Sequence, residues 1–182
     1  MIHFDFFFSD ETTDTATVVQ SWLKQAPTEV SDFLQNYLND VLPPCLDLIA
    51  KSAGLVVPYS STALIKSGLS LLEDATSKSQ LAVGLIHGLG ANLDASCRQK
   101  LAQKILELTG EYLPNPEKAL NSYYNTARKR IDLYTDDLAD QPSGPLVLTA
   151  SARSSVAVIE HWLRSQKPVL VCGPQGCGKG YA

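Results

Sequence analysis

The sequence holds one methionine, two tryptophans and three histidines in 182 residues, and its four cysteines are widely scattered. Cys45, Cys97, Cys172 and Cys177 form no C-x-x-C pair, and no histidine stands beside them. This spacing excludes a zinc site and a disulfide framework, and free thiols in a reducing compartment are the simple reading. No metal-ligating set is expected anywhere in the chain. Long apolar runs are missing as well, none approaching the ~18 residues that would span a bilayer. The opening stretch, MIHFDFFFSDE, has no basic residues ahead of its aromatic run, and Asp5 interrupts it, so it is not a secretory signal. Positive charge is also in short supply. A net charge of −4 argues against a general binder of nucleic-acid backbone. The single basic cluster, Arg128-Lys129-Arg130, reads as a solvated helix face.

What is present is an ordinary globular composition, 45% hydrophobic and 19% charged, which excludes extended disorder. Most of the chain has helical spacing. Asp14 caps a first helix through Lys24, with Val18, Val19, Trp22 and Leu23 on one face. Thr28 opens a second, which Pro43-Pro44 must end or kink because each proline removes an amide donor. Ser60 or Ser61 caps a third, running to Leu71 and Leu72. A fourth, SKSQLAVGLIHGLGANL, is apolar on most sides and belongs at the centre of a bundle. Asp94 caps a fifth, striped by Leu101, Ile105 and Leu108 and closed by Gly110. Residues 113–145 then mix prolines, tyrosines and charges. They read as a connector that packs on something, since a free linker would not carry so many aromatic and apolar side chains.

The pattern changes after that. LVLT is a short strand candidate, Thr149 or Ser151 caps a helix with Val156, Ile159, Trp162 and Leu163 apolar, and Val169 to Cys172 is a second strand. The fold class expected is mainly α: a helical bundle followed by the opening β-α-β of an α/β domain. Behind the second strand stands Gly173-Pro174-Gln175-Gly176-Cys177-Gly178-Lys179-Gly180. Its glycines let successive backbone amides point at phosphates, and Lys179 supplies the countercharge, so these eight residues are the nucleotide-binding candidates. The position that normally holds magnesium through a hydroxyl is Gly180. No later acidic pair is present to hold magnesium and water. The chain therefore offers no catalytic residues and is not expected to hydrolyse ATP alone.

The order of helical bundle, connector, capped helix, strand and Walker A loop resembles the junction between two successive AAA+ modules of dynein heavy chains. GLIHGLGANLDASCRQKLAQKI is similar to their lid signature, through Leu85-Ile86, Gly90-Ala91, Leu93 and Arg98. YYNTARKRIDLY resembles the connector after the lid, and LTASARSSVAVIEHWLRSQKPVLVCGPQGCGKG resembles the opening of the next module. The Gly-Cys-Gly-Lys-Gly string narrows the likeness to the branch that drives retrograde intraflagellar transport. On that resemblance, residues 1–12 end an upstream strand or are an unrelated start, 13–112 are a lid, 113–145 a connector and 146–182 the start of the next large subdomain. ATP is the implied ligand, with Mg in the parent protein. The implied partners are neighbouring AAA+ modules, microtubules, and intermediate and light intermediate chains. The implied location is the cytoplasm and cilium, with no nucleic acid and no membrane span. The expectation is thus a piece of a minus-end-directed motor ATPase. The alternative is a non-enzymatic helical interaction module with a non-functional loop. Two residues carry further expectations. His87 stands where lids of this type commonly carry tryptophan and reads as a core residue. Arg98 is either a packing residue near the Asp94 cap or, as the resemblance implies, a group that reaches its own module's γ-phosphate.

Overall fold

The computed structural model describes residues 15–52, 54–56, 58–136, 149–167 and 169. The order is α1 (Thr15–Leu23), α2 (Thr28–Ala50), α3 (Ser61–Leu69), α4 (Lys78–Gly90), α5 (Ala95–Thr109), a 3-10 turn (Pro116–Asn121), β1 (Ser122–Asn125), β2 (Arg130–Leu133) and α6 (Ala150–Arg164). The helix starts follow from local chemistry. The Ser60, Ser77, Asp94 and Thr149 side chains each accept a backbone N–H three residues on, satisfying donors that a helix start leaves unpaired. Gly110 closes α5 at φ 70°, and its N–H and that of Glu111 return to Glu107 and Leu106. The Asp14 cap, the LVLT strand apart from Thr149, and the strand Val169 to Cys172 apart from Val169 lie outside the described residues.

The first five helices form one bundle around α4. Nine of its 13 residues are buried, so it has no solvent face of its own. It packs against α3 and α5, while α2 lies on α5, and α1 lies on α3 and α2. Leu34, Leu38, Leu42 and Ile49 of α2 meet Ile65, Leu69, Leu81, Leu85, Leu89, Leu101 and Ile105 in a single core, all fully buried.

Of the end or kink expected at Pro43-Pro44, the end does not occur, and α2 runs through both. The carbonyls they leave without these donors belong to Asn39 and Asp40, both exposed residues. Beyond them Cys45 and Ile49 are fully buried, and that burial offsets the proline cost. Next, α3 stops at Leu69, and Leu72 reaches the core from the turn that follows. Finally, Arg128-Lys129-Arg130 is no helix face. It is the tip of an antiparallel hairpin, in which Ser122 pairs with Leu133 and Asn125 with Arg130. Lys129 takes φ 52° there, and Arg128 and Arg130 both bond Asp132. The hairpin lies on α4 and carries the stacked pair Tyr123 and Tyr134, ring centroids 4.3 Å apart. Part of the connector's packing is thereby identified.

The α3–α4 crossing is made by backbones. A Cβ placed on Gly88 would stand 2.7 Å from the Ser67 carbonyl oxygen and 2.8 Å from the Gly68 Cα, while Ser67 Oγ donates to the Gly88 carbonyl at 2.9 Å. Alanine normally stabilises a helix interior relative to glycine by about 1 kcal/mol. Here the sign reverses, because backbone on both sides cannot give. Gly88→Ala is expected to cost roughly 1–3 kcal/mol in chemical denaturation. Gly110→Ala, strained only by its φ, is expected to cost about 1–2 kcal/mol. A Gly88→Ala chain as stable as the parent would contradict the close crossing.

Candidate functional site

The eight loop residues Gly173, Pro174, Gln175, Gly176, Cys177, Gly178, Lys179 and Gly180 lie outside the described residues. What is described is the apparatus that holds the chain leading to them. That apparatus is α6, held at its start by the connector and at its end by the turn that follows α3.

At its start, the Asp136 carboxylate accepts the Ala150 N–H at 2.7 Å and Thr149 Oγ1 accepts the Ala152 N–H at 3.2 Å. Both exploit the positive end of the helix dipole. The Arg153 guanidinium donates to the Thr135 carbonyl and lies over the Tyr134 ring, 5.7 Å from its centroid. One turn in, Ser154 Oγ donates to the Leu120 carbonyl at 3.0 Å, tying α6 to the 3-10 turn.

At its end, four side chains converge on the turn after α3. His161 Nε2 meets the Ser70 carbonyl at 3.2 Å, and Trp162 Nε1 donates to Ser70 Oγ at 3.0 Å. Lys167 Nζ donates to the same Ser70 carbonyl at 3.0 Å and pairs with Glu73 at 2.5 Å. Ser165 Oγ donates to the other Glu73 oxygen at 3.0 Å. Burial acts to raise the Glu73 pKa, but the bonds from Lys167 and Ser165, with the charges of Lys167 and His161, hold it below its ordinary value. Lys167 stands six positions before Gly173. The turn Ser70–Glu73 therefore holds Lys167, the residue ahead of the expected strand and loop.

The four apolar residues of α6 do not share one environment: Leu163 is 59% exposed, while Val156, Ile159 and Trp162 are half-buried. The face turned to the bundle is Ser154, Ala157, Val158, His161, Trp162 and Ser165, a helical stripe of half-polar residues. Ser70, Glu73, His161, Ser165 and Lys167 went unnoticed because hydrophobic periodicity does not register polar contacts. The usable signal was a tryptophan and a histidine side by side, at helical spacing from two serines.

His87 behaves as a core residue. Its Nε2 meets the Ser122 carbonyl at 2.9 Å, joining α4 to the hairpin, and burial lowers its pKa. Arg98 lies on the end of α4, with Nε donating to the Gly90 carbonyl at 3.0 Å and Nη2 to the Ala91 carbonyl at 3.5 Å. A Cβ on Gly90 would stand 3.0 Å from the Arg98 Cγ, so the glycine leaves room for the arginine stem. These bonds satisfy carbonyls that a helix end leaves open, and they meet the packing reading of Arg98. Among the described residues no group of three or more metal-ligating side chains occurs, and no helix is long and apolar enough to cross a membrane.

The latch at Ser70–Glu73 carries a pH dependence. Because the Glu73 pKa is lowered on folding, its contribution is complete above the ordinary value of 4.5 and is lost as pH falls through the folded value. In a Trp22→Phe background Trp162 is the sole indole. Its emission is expected to shift to the red as the pH falls below that range, and Glu73→Gln should remove the step. The same substitution should cost about 0.5 kcal/mol, the scale of a half-exposed ion pair. A Glu73→Gln chain that keeps the acid step would contradict the assignment.

The profile of the family described as Cytoplasmic dynein 2 heavy chain 1, AAA+ ATPase domain matches residues 14–109. Among similar proteins, the Cytoplasmic dynein 2 heavy chain 1 of Homo sapiens is 30% identical over 185 residues. That of Tripneustes gratilla is 31% identical over 185 residues, and that of Chlamydomonas reinhardtii 28% over 181. Each alignment takes in 96% of this chain and 4% of the relative, so the chain spans a small part of the length of these relatives.

Proposed function

The chain belongs to the cytoplasmic dynein 2 heavy chain family, a mainly α AAA+ protein, and from that premise we propose that it is the coupling segment of a motor. In this reading α1–α5 are the lid of one AAA+ module, α6 opens the next, and the loop Gly173–Gly180 binds ATP. Turnover comes from acidic residues supplied elsewhere in the motor. The wider role is minus-end-directed movement on microtubules in retrograde intraflagellar transport, in the cytoplasm and cilium.

The observation that carries this reading is the double pinning of α6. A helix that merely followed the bundle would need no such attachment. Here its end is bonded to the bundle, by Ser70 and Glu73 in the turn after α3, and its start to the connector that lies on α4 and α5, by Asp136 and Leu120. A rotation of the lid therefore carries Lys167, and the strand after it, along as one body. That is the mechanical requirement for passing nucleotide state from one module to the next.

The loop chemistry adds a specific expectation. Without a hydroxyl at Gly180, magnesium would be held by waters or by an acidic residue elsewhere in the motor, and Lys179 would supply the countercharge from this chain. ATP at a hundredfold over its dissociation constant should stabilise the full chain by about 2.7 kcal/mol. Lys179→Ala should abolish the shift, and omission of magnesium should reduce it only in part. The absence of any shift with ATP or ADP would favour the second reading, a helical interaction module. That reading draws on Gly180, which takes away the usual metal ligand.

A further inference from the structure

The two strands of the hairpin have unequal outer edges. Tyr134 N–H donates to the Asn121 carbonyl at 2.9 Å, and the pairs Tyr123–Asp132 and Asn125–Arg130 follow at every second position of the ladder. In an antiparallel ladder such alternate residues spend their N–H and C=O on the opposite strand, and the residues between them point theirs outward. On β1 the outward residues include Ser122, whose carbonyl is taken by His87 Nε2 at 2.9 Å. On β2 they are Ile131 and Leu133. Among the described residues, no hydrogen bond reaches the N–H or C=O of either.

A groove of about 320 Å³ lies along that open edge. Its walls are β2, Arg130–Leu133, on one side and residues 111–114 on the other, with no residue of β1. Successive strand side chains point to opposite faces, so a groove that touches four in a row runs along the backbone and not over one face. The exclusion of β1 puts it on the outer side. The facing residues 111–114 are neither helix nor strand, and Tyr112 and Leu113 make no backbone bond of their own. Two stretches of backbone thus border one groove without bonding each other.

We propose that this groove takes up an extended acidic segment of another protein, which adds to β2 as a third, antiparallel strand. Main-chain bonds to Ile131 and Leu133 supply the attachment, since an open strand edge is a template for pairing. The acidic character follows from the hairpin tip. Arg128, Lys129 and Arg130 are exposed there, and among the described residues the carboxylate that answers them is Asp132. Three cations against one anion leave a local surplus of positive charge in a chain whose net charge is −4. Because β2 begins at this tip, an antiparallel partner ends there, and its acidic residues belong at its C-terminal end. Glu111 lines the facing wall, with Ser79 Oγ donating to it at 2.9 Å, so the body of the segment is uncharged.

The probe is an acetylated hexapeptide of alternating threonine and valine that ends in two glutamates, added to the full chain labelled with nitrogen-15. In the free chain the Ile131 and Leu133 amides should exchange with solvent faster than those of Asp132 and Tyr134, which the ladder holds. Binding is expected roughly in the millimolar range, because ordering the peptide offsets much of what its bonds contribute. At saturation the Ile131 and Leu133 amides should slow about tenfold in exchange. The same peptide N-methylated along its backbone should not bind. Replacing its two glutamates by lysines should weaken binding about threefold, and so should Lys129→Glu at the exposed tip. Binding that leaves the Ile131 and Leu133 amides unprotected overturns the proposal, as does undiminished affinity for the methylated or the lysine peptide, or no binding at all. Protection that rises with chain concentration in the absence of peptide assigns the edge to a second copy and overturns it as well.

Discussion

The contact between Gly88 and the Ser67–Gly68 backbone sets the geometry on which the rest of the structure depends. Two helices with side chains at their crossing stand about 8–10 Å apart. Backbone-to-backbone contact brings α3 and α4 closer than side chains would permit. That brings the turn after α3, which carries Ser70 and Glu73, up beside α4, which carries His87. The bundle therefore presents both attachment points on one side. The hairpin is received by His87, and α6 by Ser70 and Glu73. A single methyl group at position 88 would push these two surfaces apart, which makes one glycine a condition for both interfaces.

The two interfaces differ in kind, and the difference has a physical meaning. Within the bundle the contacts are apolar and fully buried, which gives a core that resists rearrangement. Between the bundle and α6 the contacts are mainly polar, and only Ala150 and Ser154 of α6 are buried. Interfaces of this composition are characteristic of parts that move as units. Each hydrogen bond contributes about 0.5–1.5 kcal/mol. Several together suffice to keep α6 docked, while none is irreplaceable in the way a core leucine is.

The parts of this arrangement that the sequence exposes are those decided by neighbours along the chain. Ser60, Asp94, Thr149 and Gly110 act on amides or carbonyls within five residues, so a cap can be seen in a short window. The centrality of α4 was legible for a similar reason: a segment apolar on every side has nowhere to go but inside. At Pro43-Pro44 local chemistry leaves an end or a kink open, and the burial of Cys45 and Ile49 beyond them favours the helix that runs through both. The hairpin escaped because its strands have four residues each and its turn, Thr126–Lys129, holds no glycine. Lys129 has to adopt positive φ there, in a place where asparagine or glycine would have announced the turn. The latch escaped because Ser70 and Trp162 are 92 residues apart. The candidate nucleotide site is the reverse case. Its eight residues were legible from spacing alone, while what steadies the chain ahead of them was not.

On the proposed reading of Gly173–Gly180 as a phosphate loop, the position of Lys167 gives the latch a purpose. A loop that binds through backbone amides has little freedom to adjust, because its donors are fixed by the path of the chain. Displacing the strand before it by an ångström misaligns every amide together. Holding Lys167 on Ser70 and Glu73 removes that freedom at a site that the nucleotide does not touch. The same bonds then work in both directions. On that reading, whatever tightens the bundle steadies the loop, and a ligand on the loop is felt at the turn after α3. Such reciprocity is a thermodynamic necessity once the two are joined. A polar joint of modest strength is suited to it, since a joint as strong as the core would lock one arrangement and a weaker one would pass nothing on.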